Sequence, residues 1–210
     1  WEGNYINNKR NGKWVQLSQE CKTYKICYFV NDKENGEWLI YNSEGNIQYK
    51  YHYILGVQEG IFFSYYDNSN IKVQGLYLNG NKNGLWLTHY KSGKLLEECN
   101  WKNGELFGKF LSYHENGQLW ESCNFNDNKL DGETLKYREN GSLFRRHYYK
   151  NGKLDGNWFV YKDNGNLLQK RILRCFDSFL EIIQALAKRG TTIVMVTHKP
   201  EDLEYIDQVV

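Results

Sequence analysis

Gly156-Asn-Trp158-Phe-Val-Tyr161-Lys-Asp-Asn-Gly165-Asn-Leu167 is the cleanest copy of a unit that recurs back to the N-terminus. A glycine stands at 12, 36, 60, 84, 108, 132 and 156, a spacing of 24 without a slip. Two residues on come Trp14, Trp38, Phe62, Trp86, Phe110, Thr134 and Trp158. Five on, from the second copy, come Tyr41, Tyr65, His89, Tyr113, Tyr137 and Tyr161. Nine on is usually a second glycine, eleven on is Ile or Leu, and seventeen on is aromatic from Phe29 to Tyr149. Columns that stay in register over this length identify a repeat protein, and that reading outranks any other.

Each unit has the signature of a β-hairpin. The first strand is short and rich in aromatic and β-branched residues, as in Trp158-Phe-Val-Tyr161, which suits a pleated surface. Asp163-Asn-Gly165, Glu139-Asn-Gly141 and Glu115-Asn-Gly117 follow as tight turns, where Asn-Gly accepts positive φ at both central positions. The second strand runs from the Leu/Ile slot to the aromatic slot. A further turn, such as Lys150-Asn-Gly152, leads to the next unit. The expectation is a mainly β protein: an elongated single-layer antiparallel meander of seven 24-residue hairpins over 1–170, with a short α/β tail over 171–210. About fourteen strands at 4.8 Å give a twisted sheet roughly 65 Å long.

Bulk properties narrow the function. The net charge of the 210 residues is +2, so nothing calls for a nucleic-acid partner. No run of 18 apolar residues marks a membrane span. The chain begins at Trp1, so what precedes it is open. Cys27, Cys99 and Cys123 share one slot that continues into His147. Equivalent slots lie about 9.6 Å apart, too far for a disulfide and for one shared metal ion. Half-buried structural thiols in a reducing, cytoplasmic setting are expected instead.

The unit Tyr149-Lys-Asn-Gly152-Lys-Leu-Asp-Gly156-Asn-Trp158-Phe-Val-Tyr161-Lys-Asp-Asn-Gly165-Asn-Leu167 resembles the MORN (membrane occupation and recognition nexus) repeat, in the variant found in bacterial antitoxin-like proteins. The resemblance covers about residues 1–170. It implies a sheet used for protein or lipid contacts, with no catalytic centre, metal or cofactor. Its signature residues here are Gly36, Trp38, Tyr41, Gly60, Gly84, Trp86, Gly108, Tyr113, Gly132, Tyr137, Gly156, Trp158 and Tyr161. The first repeat departs from it: Cys21 and Thr23 stand where Gly and Leu belong.

The composition changes after Lys170. Ser178-Phe-Leu-Glu181 is a capping box, followed by apolar residues at helical spacing, a buried-type strand around Ile193-Val-Met-Val196, and a second helix start at Pro200. Leu186-Ala-Lys-Arg-Gly190-Thr-Thr-Ile-Val-Met-Val-Thr-His198-Lys-Pro200 resembles the late part of an ATP-binding-cassette ATPase, with His198 in the switch-histidine slot. No G-x-x-x-x-G-K-[ST] loop, signature motif or Asp-Glu strand end accompanies it. Nothing would cradle the phosphates, so no bound nucleotide is expected and His198 is expected to be inactive.

The expected function is therefore a non-enzymatic scaffold that binds a protein partner, antitoxin-like by resemblance. An ATPase fragment or fusion is one alternative. Acidic-lipid binding is another, weakened by a surplus of only three positive charges in residues 1–170 (22 Lys and Arg against 19 Asp and Glu). Cross-strand stacking accounts for the aromatic columns. Aromatics off the columns, Tyr66, Trp120 and Phe144, are the candidate partner-binding residues. His52, His89 and His114 show no metal or triad pattern and are expected to be strand and turn residues.

Overall fold

The computed structural model describes residues 1–18 and 23–173. All regular structure among them is β. Strands Lys9–Ser18 and Thr23–Val30 form the first hairpin, and Glu105–Tyr113 and Leu119–Asn126 form the fifth. In the second, third, sixth and seventh repeats the leading strand is broken once, as where Lys33–Glu34 is followed by Gly36–Tyr41. Every pairing is antiparallel and joins a strand to its neighbour in sequence, from Glu2–Ile6 on Lys9–Ser18 to Gly156–Tyr161 on Leu167–Leu173. The result is one open antiparallel meander, as the repeat demanded. The last strand, Leu167–Leu173, runs past residue 170. The helix–strand–helix expected further on, with His198, lies outside the described residues.

Register explains the columns. Gly36 faces Tyr53 and Trp38 faces Tyr51; Gly108 faces Phe125 and Phe110 faces Cys123. Directly opposed side chains point to the same side of a sheet. The Trp/Phe slot, the Cys slot and the late aromatic slot therefore share one face, here called inner. The repeat glycine has a separate task. Gly36 has φ 90° and Gly108 has φ 74°, in the left-handed region that favours glycine. At this position the strand pairing slips, as between Cys99 and Trp101 opposite Gly108. It is a bulge with a left-handed glycine, which bends the strand and increases its twist.

The two turns of each repeat differ in a way the Asn-Gly pattern did not reveal. In Glu139-Asn-Gly141 only the glycine has positive φ, 81°, and its N–H donates to the Arg138 carbonyl over 2.9 Å. This is a type I turn closed by a left-handed residue, not a turn with two positive φ values. The doubly positive turns are the ones between repeats: Asn79-Gly80 at 51° and 77°, Asn103-Gly104 at 51° and 85°, Asn151-Gly152 at 51° and 82°. The mirror-image turn thus links repeats, and the longer turn closes each hairpin. The longer turn is self-capped: Asn42 Oδ1 accepts the N–H groups of Glu44 and Asn46.

The core is one-sided. Trp14, Cys27, Phe29, Trp86, Cys123 and Val160 are the buried apolar residues, joined by Ser64, Ser112 and Thr134, and all lie on the inner face. In a single layer, burial of this depth comes from large rings lying over small residues and against one another along that side. Rings pass along that side from repeat to repeat: Phe29 to Trp38 at 5.7 Å, Trp38 to Tyr51 at 6.1 Å, Tyr51 to Phe62 at 6.1 Å, Phe62 to Trp86 at 5.7 Å. Each such contact contributes about 0.5–1.5 kcal/mol beyond its area. Gly3 and Gly75 occupy the slot that elsewhere holds Cys27, Tyr51, Cys99, Cys123, His147 and Arg171. The Trp14 and Trp86 rings lie flat on them: a Cβ would sit 2.3 Å and 2.2 Å from a ring carbon. The three described cysteines are free. Burial pushes the Cys27 thiol up to about 11 and that of Cys123 to about 12.

A set of cross-repeat bonds went unseen in the sequence because its donors differ. Tyr66 donates its hydroxyl to the His89 carbonyl over 2.8 Å, and Tyr90 donates to Tyr113 over 2.8 Å. His114 Nε2 lies 3.0 Å from the Tyr137 carbonyl, and Arg138 donates to the Tyr161 carbonyl over 2.7 Å. Three kinds of donor, Tyr, His and Arg, make the same staple to the next repeat from one slot.

Candidate interaction surface

The outer face holds the alternate residues of every strand. One column is apolar throughout: Val15, Leu39, Phe63, Leu87, Leu111, Leu135 and Phe159. Nearer the turns between repeats, the outer face changes character along the chain. The column Ile6, Val30, Ile54, Leu78 continues as Lys102, Asn126, Lys150. The column holding Tyr28, His52 and Leu76 continues as Asn100, Asn124 and Tyr148, and Ile61 and Leu85 stand between Lys13 and Glu37 before them and Lys109, Glu133 and Asn157 after them. Register places these side chains together, since Ile61 faces Leu76 and Ile54 faces Val57.

All the apolar members are open to water: Ile61 is 59% exposed, Ile6 58%, Ile54 50%, Leu85 50%, Leu78 42%. Four residues of one column at about 9.6 Å intervals make a stripe about 29 Å long. At its N-terminal end a groove of about 480 Å³ opens between Ile6, Tyr28, Val30 and Glu37, floored by Gly12 and Gly36. Contiguous exposed apolar surface of this kind marks contact sites. Beyond residue 100 the columns nearer these turns are mostly polar, and several of the polar side chains on this face bond to one another. Tyr113 donates to Glu98 over 2.7 Å, and Glu133 takes Arg146 Nε at 2.5 Å and the Tyr148 hydroxyl at 2.8 Å. The stripe was legible in the columns, but only once they were assigned to faces and compared along the chain.

The signature residues serve the framework. Gly36, Gly60, Gly84, Gly108, Gly132 and Gly156 all have positive φ. Trp38 packs edge-on against Tyr53 at 5.3 Å, and Tyr41 stacks on Tyr24 at 4.1 Å. Trp86 carries Lys82 over its ring at 4.2 Å, and Trp158 lies 5.7 Å from His147. Tyr113, Tyr137 and Tyr161 offer their carbonyls to the staples. Of the off-column aromatics, Tyr66 uses its hydroxyl as a staple and has Lys72 5.6 Å above its ring. Trp120 is 42% exposed, with Lys136 at 5.5 Å. Phe144 lies between Arg138 at 4.5 Å and Arg145 at 4.4 Å. Trp120 and Phe144 occupy the same slot of successive repeats, so the structure sets them side by side and leaves Tyr66 apart. Among the described residues there is no group of His, Cys, Asp and Glu with metal-site geometry, and no helix long and apolar enough to cross a membrane.

No curated protein matches the chain. Among solved structures, the GtfA/B complex bound to UDP and GlcNAc is 13% identical over 66% of this chain and 24% of that one, with a TM-score of 0.19, too low to support any argument. The chain spans about a quarter of that protein's length. The MORN repeat variant matches five stretches, 34–54, 58–79, 82–103, 108–127 and 130–151, each one period of the hairpin array. These matches cover half of the sequence and coincide with the observed repeats, so the chain belongs to the MORN repeat variant family.

Proposed function

We propose that this protein is a non-enzymatic interaction scaffold that docks a protein partner on the apolar stripe of its outer face, with antitoxin-like restraint of that partner as its specific form. MORN repeats are generally protein or lipid interaction modules. The observation favouring a protein is the stripe itself, Ile6–Val30–Ile54–Leu78 with Ile61, Leu76 and Leu85 beside it. It is apolar and ringed by mixed charge, such as the Lys50–Glu37 pair at 2.6 Å, rather than by the cation cluster an acidic membrane selects. The fitting partner presents an apolar row of matching length, since burying apolar surface is the dominant favourable term in association. The double variant Ile61→Lys/Leu85→Lys, at two exposed positions, should keep the wild-type melting temperature. It should lose a partner isolated by crosslinking to the full chain. Unchanged partner affinity, or salt-sensitive flotation of the wild type with acidic vesicles, would overturn the reading.

A further inference from the structure

We propose that Lys136, Arg145 and His147 form, on the inner face, a second site that binds a carboxylate carried by an extended acidic segment of a protein. It lies on the face opposite the apolar stripe and stands independently of it. A single row of inner-face residues crosses the sheet here. Glu97 faces Ser112, Ser112 faces Glu121, Glu121 faces Lys136, Lys136 faces Arg145, and Arg145 faces Val160. Lys136 and Arg145 are therefore like charges directly opposed across two strands, an arrangement that destabilises a sheet unless an anion neutralises it. One carboxylate is at hand: Glu121 pairs with Lys136 at 3.2 Å. Arg145 makes no ion pair among the described residues. Its guanidinium lies on the Phe144 ring at 4.4 Å, and its Nε is buried with no hydrogen-bond partner.

Two residues along the same strand, His147 Nε2 is also buried without a partner. Its ring is held 5.7 Å from Trp158 and 6.3 Å from Tyr149, and opposite it stands Thr134, which carries no charge. The titratable groups around this imidazole are Lys136 and Arg145 in the adjoining row, Tyr149 on its own strand, and Arg171, whose guanidinium covers Trp158 at 5.3 Å. Burial first, then Arg145 and Lys136, holds the imidazole below its usual range. An oxygen anion bound here would accept from the guanidinium and from a protonated imidazole, and would push His147 back up.

The row's own charges select the kind of anion. Glu97 and Glu121 lie close by in the same row, and burial together with Glu121 already raises the Glu97 carboxyl. A doubly charged phosphate meets more of that repulsion than a singly charged carboxylate. Trp120 and Phe144, the irregular residues of equivalent slots about 9.6 Å apart, each meet one of the cations, Lys136 at 5.5 Å and Arg145 at 4.4 Å. That spacing gives an extended peptide two apolar footholds on either side of an acidic residue.

The test follows the His147 imidazole by NMR in the full chain, assigned with His147→Gln. The chain is titrated with an acetyl-Glu-Gly-Glu amide peptide, with inorganic phosphate, and with sodium chloride at matched ionic strength. The peptide should raise the His147 midpoint by about one pH unit beyond chloride, and Arg145→Gln should abolish the rise. Arg145→Gln should also melt no lower than wild type in plain buffer, because it removes a repulsion, and the peptide should raise the melting temperature of the wild type alone. No shift beyond chloride overturns the site. A larger shift with phosphate overturns the carboxylate assignment. A markedly lower melting temperature for Arg145→Gln makes Arg145 a structural side chain and ends the proposal.

Discussion

Gly75 tests the packing account most sharply, because column logic and structure disagree about it. Four of the seven other residues in its slot are Cys or His, so a repeat average recommends Gly75→Cys as an improvement. The structure forbids it. A Cβ at Gly75 would lie 2.2, 2.3 and 2.6 Å from three carbons of the Trp86 ring, where ordinary contact begins at 3.4 Å. The ring would have to move by more than an ångström. It would leave its stack on Phe62 at 5.7 Å, its place under Lys82 at 4.2 Å, and the bond from Nε1 to the Leu76 carbonyl at 3.2 Å. Overpacking costs about 1–3 kcal/mol and the lost hydrogen bond about 1 kcal/mol. Removing a glycine from a strand interior returns about 0.5–1 kcal/mol. The net expectation for Gly75→Ala is a loss of about 2 kcal/mol, and Gly75→Cys should lose more. Urea unfolding followed by tryptophan fluorescence should show a midpoint lower by about 1 M. Gly3→Ala should act likewise through Trp14. A midpoint that holds or rises for Gly75→Ala, with Trp86 Nε1–H still protected from exchange, would refute the reasoning.

Other expectations follow from the same geometry. Cys27 and Cys123 should resist alkylation at pH 8 in the folded chain and react on unfolding; rapid native labelling would contradict their burial. Their raised folded values imply that stability falls as pH climbs above about 9, where the unfolded thiols ionise and the buried ones do not; denaturation midpoints between pH 8 and 10.5 measure this. Tyr66→Phe should cost about 1 kcal/mol by removing one staple. Arg138→Ala should cost more, since Arg138 also bonds the Leu143 carbonyl and pairs with Asp163 at 2.7 Å; equal melting of both variants would count against the staples. Gly108→Ala should cost about 1–2 kcal/mol by forcing a side chain to φ 74°, and an unaffected melting curve would rule out the bulge.

The hairpins, their number and the meander were legible because several columns kept one period. Their physical reasons were less so. Asn-Gly reads as a doubly positive turn wherever it occurs, yet at Asn140-Gly141 only the glycine is left-handed, because the loop there is longer than two residues. The glycine at 36 or 108 looked like a marker of the repeat, while its cause is a bulge that exists only against the neighbouring strand. The staples were invisible because the phenols of Tyr66 and Tyr90 give way in the same slot to His114 and Arg138, which share with them only a donor at the right reach. The outer stripe was written in Ile6, Val30, Ile54 and Leu78, but averaging over repeats blends them with Lys102 and Lys150 and erases the contrast. Inner and outer faces must be separated before a repeat can be read for what distinguishes its copies.

The staples also bear on how such an array changes length. Each accepts at a main-chain carbonyl, which every residue possesses, so a copy inserted or removed whole finds the same acceptor on its neighbour. Fitting one unit to the next asks only for some donor of sufficient reach. The number of units is thereby freed from the identity of the units. A lineage can lengthen or shorten the ruler without redrawing the marks upon it. Losing the copies that carry Ile54 and Leu78 would leave a sheet that still folds but has lost half of its apolar stripe.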